Sequence, residues 1–334
     1  MNITSRAPGR RCPVVRKAII SVDIGATRTR IGIYDYNRME LLKRAEFATN
    51  DPEESRGIVE RIIARTREIL EVLEEIKPIA IGVGTIGPLD LEKGMVVSSP
   101  NVTEKTFEIK GPLELFFGIP TFVLNDCVAA AYGELMGGYG KGKKNIVYVT
   151  LSTGIGAGVV VDGELLLGKD GNAHEIGHLV LSYGSDIQCG CGGFGHWEGL
   201  SSGKNLWKLV EKLKRDYSGK TQLSSSESVS PENLFALWRK GDQLASIIID
   251  ELSMINAAGI ASVINAYDPE LLVLGGSIAL KNQDFVRQFL EMVPRYTINR
   301  LPDFKLAYYG EDSVLAGAAW IARKPPKKLL ETMI

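Results

Sequence analysis

The chain has 334 residues, of which 45% are hydrophobic and 24% charged, and a net charge of −1. That length exceeds one comfortable hydrophobic core and favours two domains, while the balanced charge lacks the basic excess of a nucleic-acid binder. The first seventeen residues are basic without an apolar core or cleavage site, no long uncharged apolar run follows, and four cysteines are too few for a disulfide framework, so the chain reads as cytoplasmic with no membrane partner.

Residues 17–49 give three strand-like runs separated by Gly-rich and Asn-Arg turns. The first run ends in Asp23-Ile24-Gly25-Ala26-Thr27, where backbone N–H groups and the Thr27 hydroxyl can approach a phosphate. A single such turn more often only joins strands. A helix is expected over 51–76, with Asp51 as cap, Pro52 in its first turn and Ile58, Ile62, Ile69, Leu70 and Leu73 at helical spacing. A strand over 79–84 leads into the turn Thr85-Ile86-Gly87-Pro88, and a short hairpin and brief helix lead to a strand over 121–124. That strand stops at Asn125-Asp126, before the helical run CVAAAYGELMGG. Ligands of open α/β sheets bind outside strand carboxyl ends, although an ordinary helix cap would also explain the pair.

Residues 145–167 repeat the pattern of three strands, and their first turn, around Ser152-Thr153-Gly154, again joins strands through glycine and hydroxyls. Two such hairpins facing each other across a cleft are a far more specific signal than one. The stretch 172–201 then holds all three histidines, Cys189, Cys191 and the carboxylates Glu175 and Glu198. His178, Cys189, Cys191 and His196 supply the two imidazoles and two thiolates of a four-ligand structural zinc site. The alternatives are a satisfied core histidine beside two buried thiols, or a strained local disulfide. Beyond it lie an amphipathic segment over 205–216, a polar serine-rich loop over 218–233, and helices over 231–239 and 242–266. A buried strand over 271–274 ends in Gly275-Gly276, where a flat or phosphorylated ligand can approach. A strand over 305–309, a helix over 312–322 and a loosely docked tail close the chain.

Collected, these segments resemble the ROK family, named for repressors, open reading frames and kinases, within the actin and hexokinase-like ATPase superfamily. EIGH at 175–178 and CGCGGFGHWE at 189–198 are similar to its ExGH and CxCGxxGCxE pair, while LNDCVAAAYGE, LSTGIGAGVVVDG and LGGSI look like its catalytic, second-phosphate and adenosine segments. The resemblance implies an α/β, two-lobed actin-like ATPase fold of ribonuclease H type, each lobe a mixed sheet flanked by helices. The small lobe would be 18–124 with about 301–322, and the large lobe 125–300.

The resemblance further implies an ATP-dependent hexose kinase, acting on glucose or several hexoses at the 6-hydroxyl, with Asp126 as general base. Gly87, Asn101, Asn125, Glu175, His178 and Glu198 would line the sugar pocket. Gly25, Thr27, Thr153 and Gly154 would hold the ATP phosphates, Asp23 would orient water on magnesium, and Gly275 and Gly276 would border the adenosine. Zinc would be held by His178, Cys189, Cys191 and His196, and the chain would be a homodimer or homotetramer. The sequence departs from the family at His196 for cysteine, Ala26 for glycine, Ile86 for proline and His174 for glycine. The first strand starts near residue 18, so the extra DNA-binding domain of the repressors is not expected. An N-acetylhexosamine or fructose kinase, or a sugar sensor without catalysis, are the alternatives.

Overall fold

The computed structural model describes residues 15–73, 75–99, 102–223 and 229–331. The chain opens with β1 (Arg16–Ile24), β2 (Arg28–Asp35) and β3 (Leu41–Ala48), an antiparallel meander. β1 is buried without interruption from Ala18 to Ile24, as a central strand covered on both faces must be. α1 (Ile58–Val72) follows, then β4 (Ile76–Thr85), parallel to β1. The expected cap at Asp51 is not formed: residues 51–57 make turns, and the helix starts only after Gly57. Ile58, Ile62 and Ile69 still turn their common face to the sheet side, so the periodicity was informative where the cap signal was not.

A small three-stranded sheet comes next, β5 (Leu89–Asp90), β6 (Met95–Val96) and β7 (Phe107–Glu108), then α2 (Lys110–Phe117) and β8 (Thr121–Asn125). β8 pairs parallel with β4 and completes the order β3-β2-β1-β4-β8. α3 (Asp126–Gly137) leaves directly from its end.

The second half runs β9 (Ile146–Leu151), β10 (Ile155–Val161) and β11 (Glu164–Leu165), then α4 (Trp197–Ser201), α5 (Leu206–Arg215), α6 (Pro231–Arg239) and α7 (Gln243–Tyr267). β12 (Leu271–Gly275), α8 (Ser277–Lys281), α9 (Gln283–Met292), β13 (Asp303–Leu306), α10 (Ser313–Arg323) and α11 (Lys327–Glu331) complete it. The sheet order is β11-β10-β9-β12-β13, with an antiparallel meander followed by two parallel strands. The repeat read in the sequence is therefore a repeat of topology. β13 begins two residues before the expected strand and ends three residues sooner. The tail also docks more firmly than expected, since α11 buries Leu329. Likewise the polar loop is tethered by buried Leu223 and Val229 on either side of its undescribed residues 224–228.

α3 and α10 follow the last strand of each sheet and pack against one another between the two sheets. Small residues make this approach feasible: a Cβ on Gly133 would lie 2.9 Å from the Gly317 Cα. α7 is apolar and long enough to cross a bilayer, but Leu244, Ile248, Ile249, Ile260 and Ile264 are buried in the second half's core. Each fully buried aliphatic side chain of this kind is worth about 1.5–3 kcal/mol, which accounts for the helix without a membrane.

Candidate active site

Asp126 owes its place to glycines. α3 packs on β4, where a Cβ on Gly84 would lie 3.1 Å from the Ala129 Cβ, and its first turn presses on β10, where a Cβ on Gly156 would lie 2.9 Å from Cys127 Sγ. A side chain on either strand would push the helix out. Gly156 and Gly158, read in the sequence as part of a phosphate turn, are thus required for helix packing, since Gly158 lies under the Cys127 backbone. Asn125 caps α3 as its bland reading expected: its Oδ1 accepts N–H bonds from Cys127 at 2.9 Å and Val128 at 3.3 Å. Asp126 Oδ1 accepts from the Cys127 N–H at 2.7 Å. Burial raises the Asp126 carboxyl above the ordinary carboxylate range, against these N–H bonds.

The first hairpin turns at Gly25–Thr27, closed by the Gly25 N–H donating to the Arg28 carbonyl at 3.1 Å and by the Thr49 hydroxyl donating to the Gly25 carbonyl at 2.7 Å. Asp23, at the carboxyl end of β1, is 3% exposed and receives a hydrogen bond from Arg30, its cross-strand partner, at 2.8 Å. Burial pushes its carboxyl up to about 6, Arg30 pulls it back, and the charge of Asp126 adds to the rise. The hairpin residue Thr27 is exposed, open to a ligand. Deeper between the sheets, Glu134 is fully buried and accepts N–H bonds from Tyr308 at 2.7 Å and Tyr139 at 3.2 Å, and burial raises its carboxyl too.

The second hairpin turns at Ser152–Gly154, closed by the Ser152 N–H donating to the Gly154 carbonyl at 3.0 Å. Thr153 is exposed, and a Cβ on Gly154 would lie 2.7 Å from Glu198 Oε2, which itself accepts the Ile155 N–H at 3.0 Å. Beside this hairpin opens a groove of ≈ 440 Å³ lined by Thr153, Lys204, Phe235, Arg239, Ser277 and Lys281 among others. Of these, Thr153 and Ser277 lie in segments singled out from the sequence; Lys204 stands next to a glycine and Arg239 on α6, with no local pattern to mark them. Gly275 and Gly276 lie behind the groove. Gly275 packs under the Tyr148 ring, and Gly276 takes φ +83° against the Leu151 carbonyl, so close packing explains both glycines.

Trp197, fully buried, donates from Nε1 to Asn256 Oδ1 at 3.0 Å and anchors α4, which carries Glu198. Glu198 Oε1 lies 3.8 Å from Cys189 Sγ. The ligating atoms of His178, Cys189, Cys191 and His196 fall within 4.8 Å of one another, with Cys191 Sγ 3.2 Å from His196 Nδ1 and Cys189 Sγ 3.9 Å from His178 Nδ1. The edges of a tetrahedron around zinc with sulfur and nitrogen ligands are about 3.3–3.8 Å, so this donor set fits that ion. Both cysteines are free thiols, which removes the local disulfide. The His178 ring spans two sites, because its Nε2 lies 3.8 Å from Glu175 Oε2. Although half of its side chain is open to solvent, the crowded surroundings of Glu175 raise its carboxyl, His178 opposes the rise, and the charges of Asp126 and Glu198 assist it. Gly87, joined to Pro88 by a cis peptide, sits near Asn125: a Cβ there would lie 3.9 Å from Asn125 Nδ2. Asn101 lies outside the described residues.

Two sheets of one topology, with α3 and α10 packed between them and Asp126 at the start of α3, define the actin-like ATPase fold. The chain belongs to the ROK family, matching it over residues 19–325. It is 39% identical to a glucokinase of Pyrobaculum calidifontis, over 93% of this chain and 96% of that one. Among solved structures, a ROK hexokinase from Thermus thermophilus is 32% identical with a TM-score of 0.75, covering 91% of this chain and 97% of its own. A ROK glucokinase from Streptomyces griseus, in complex with glucose and AMPPNP, is 28% identical with a TM-score of 0.75, covering 92% and 99%.

Proposed function

We propose that the protein transfers the γ-phosphoryl of ATP to a hexose, glucose foremost, at the 6-hydroxyl. The observation that carries the reading is Asp126, a carboxylate with a raised proton affinity at the start of α3, just outside the carboxyl end of β8. Phosphoryl transfer needs alignment and charge neutralisation more than covalent chemistry, which the two hairpins are suited to supply. A base works best when its pKa approaches the working pH, and Asp126, displaced upward, accepts the sugar proton more readily than an ordinary aspartate would. The groove beside Thr153 takes the nucleoside, and the Gly87, Asn125, Glu175 and His178 face takes the sugar.

Magnesium, entering with ATP, supplies charge neutralisation at the phosphates. Asp23, a hard oxygen group at the base of the first hairpin, would orient a water on that ion, leaving Asp126 free for the sugar proton. Zinc suits the two thiols and two imidazoles at 178–196, where it would fix the His178 ring and the loop leading to Glu198. The small lobe, 18–124 with α10 from the expected 301–322 segment, and the large lobe, 125–300 with β13 in its sheet, would close over both substrates and exclude water. A coupled assay with ATP across glucose, mannose, glucosamine, N-acetylglucosamine and fructose tests the reading, and glucose is expected to lead. No phosphorylation of any hexose, with the sugar still bound, would turn the reading to a sensor. Metal analysis of protein purified without added metal should find about one zinc per chain, as one four-ligand site requires.

A further inference from the structure

The segment before the Glu175 motif is held by side chains that behave like backbone. Asn172 Oδ1 accepts the Leu89 N–H at 2.9 Å, and Asn172 Nδ2 donates to the Leu89 carbonyl at 2.9 Å. A carboxamide has one acceptor and a donor in the geometry of a peptide group, so this reciprocal pair extends the small sheet at the edge of β5 by one unit. The two bonds also fix which way the amide faces. Next to it Gly171, at φ +83°, lies so near Leu91 that a Cβ would be 3.1 Å from the Leu91 Cβ. The contact joins residues 83 apart in sequence, from β5 beside Gly87 to the loop that follows β11.

The other anchor is His174. It is 7% exposed, its Nε2 bonds the Leu166 carbonyl, and its backbone stands at φ +66°, a region that non-glycine residues occupy at a cost. Asn172 ties the segment to β5, His174 ties it to the end of β11, and Glu175 is the next residue. The bonds therefore determine how far Glu175 stands from Gly87. Helix and strand ladders do not: between β11 and the short helical turn starting at Ile176 this segment has no regular structure.

We propose that Asn172 is a positioning residue for the sugar, clamping the Gly171–Glu175 segment onto Leu89 so that Glu175 and the Gly87 turn present one rigid wall to the hexose. This rests on the assignment of Gly87 and Glu175 to the sugar pocket. Asn172 touches neither reacting atom. Its loss acts on how well the sugar is held, because a loosened wall must be ordered again on each binding event.

The experiment uses the full chain and three variants: Asn172→Ala, Asn172→Asp and, as a control on the same loop, Lys169→Ala. Asp keeps the shape and the acceptor but sets a carboxylate oxygen against the Leu89 carbonyl, so a residue needed only to fill space would tolerate it. Glucose KM is expected to rise about tenfold in both Asn172 variants, the scale of two ordinary hydrogen bonds, with kcat and ATP KM changing less than about threefold. Hydrogen exchange at the Leu89 amide, protected in the parent protein, should become fast in Asn172→Ala, and Lys169→Ala should change neither readout. An unchanged glucose KM in either Asn172 variant, a fall in kcat alone, or a Leu89 amide already fast in the parent overturns the proposal. A parent protein that phosphorylates no hexose removes the functional reading and the proposal together, whereas an active parent with unaffected variants removes the proposal alone.

Discussion

The two hairpins have the same place in the same topology and different chemistry. The first is built around charge: Asp23 is buried at its base, Arg30 faces it across the strand pair at 2.8 Å, and Arg30 in turn stands 3.9 Å from Glu46. The second is built around hydroxyls: Ser152 Oγ meets Ser277 Oγ at 3.1 Å, its nearest acid is Glu198, which reaches the Ile155 N–H from α4, and the adjoining groove is lined by hydroxyls, lysines, Arg239 and Glu232. Repetition has supplied two hairpins of one topology, and substitution has given them different side chains. The half with the buried acid suits the metal-bearing end of a nucleotide triphosphate, and the half with open volume suits its base and ribose.

Asp126, within electrostatic reach of Asp23, is where removing a carboxylate should do the most damage. Asp126→Asn keeps the shape but cannot take the proton, so kcat should fall by roughly 10²–10⁴-fold with ATP and sugar binding largely kept. Single-turnover assays and substrate titrations check it, and near-normal turnover would refute the base assignment. Next in size is Arg30→Gln, which acts on the first hairpin alone. It leaves Asp23 buried without its cation, at a cost of roughly 3 kcal/mol in thermal or denaturant unfolding at pH 8. The Asp23 carboxyl then rises further above about 6, and the acid limb of the pH–rate profile should move upward with it. Unchanged melting and an unmoved limb would show that the two hairpins differ less than their charges suggest. The smallest effect is expected at Thr153→Ala in the second hairpin, where one hydroxyl is lost from an exposed turn. ATP KM should rise by a factor of about 2–10, glucose KM should hold, and stability should hold as well.

The repeat was legible because strands buried on both faces read as apolar runs, and because Gly-rich turns punctuate them. The cluster at 178–196 was legible because thiols and imidazoles are rare and their spacing is local. What escaped was long-range. Gly156 and Gly158 carry the signature of a phosphate turn, yet they admit the first turn of α3, a contact the sequence pattern does not carry. Arg239 and Lys281 reach the groove from helices far apart in the chain. The α1 start was misplaced since Asp51-Pro52 resembles a cap, but tertiary contacts delay the helix to Ile58, whose N–H is taken by Glu104 at 2.9 Å. Asn172 had no motif at all, because a side chain mimicking a peptide group looks like any loop asparagine.

The buried acids also set a proton balance. Asp23, Asp126 and Glu134 all have folded-state carboxyls displaced above their unfolded values, so over the interval from about pH 4 to the raised values the native chain binds more protons than the unfolded chain. These three therefore make stability fall as pH rises, with Asp23 completing its share near pH 6. Asp35, Glu270 and Asp284, held low by hydrogen bonds, exert their pH dependence below that interval. His174 is the counterweight: buried and depressed, it favours the fold above its ordinary titration range and withdraws that support as acid protonates it. With Glu175 raised as well, four carboxylates against one imidazole leave the melting temperature higher near pH 5 than near pH 8, while a base that must be ionised demands the opposite. Heat resistance and turnover are thus expected to peak at different pH values, and parallel melting and rate profiles would show the separation.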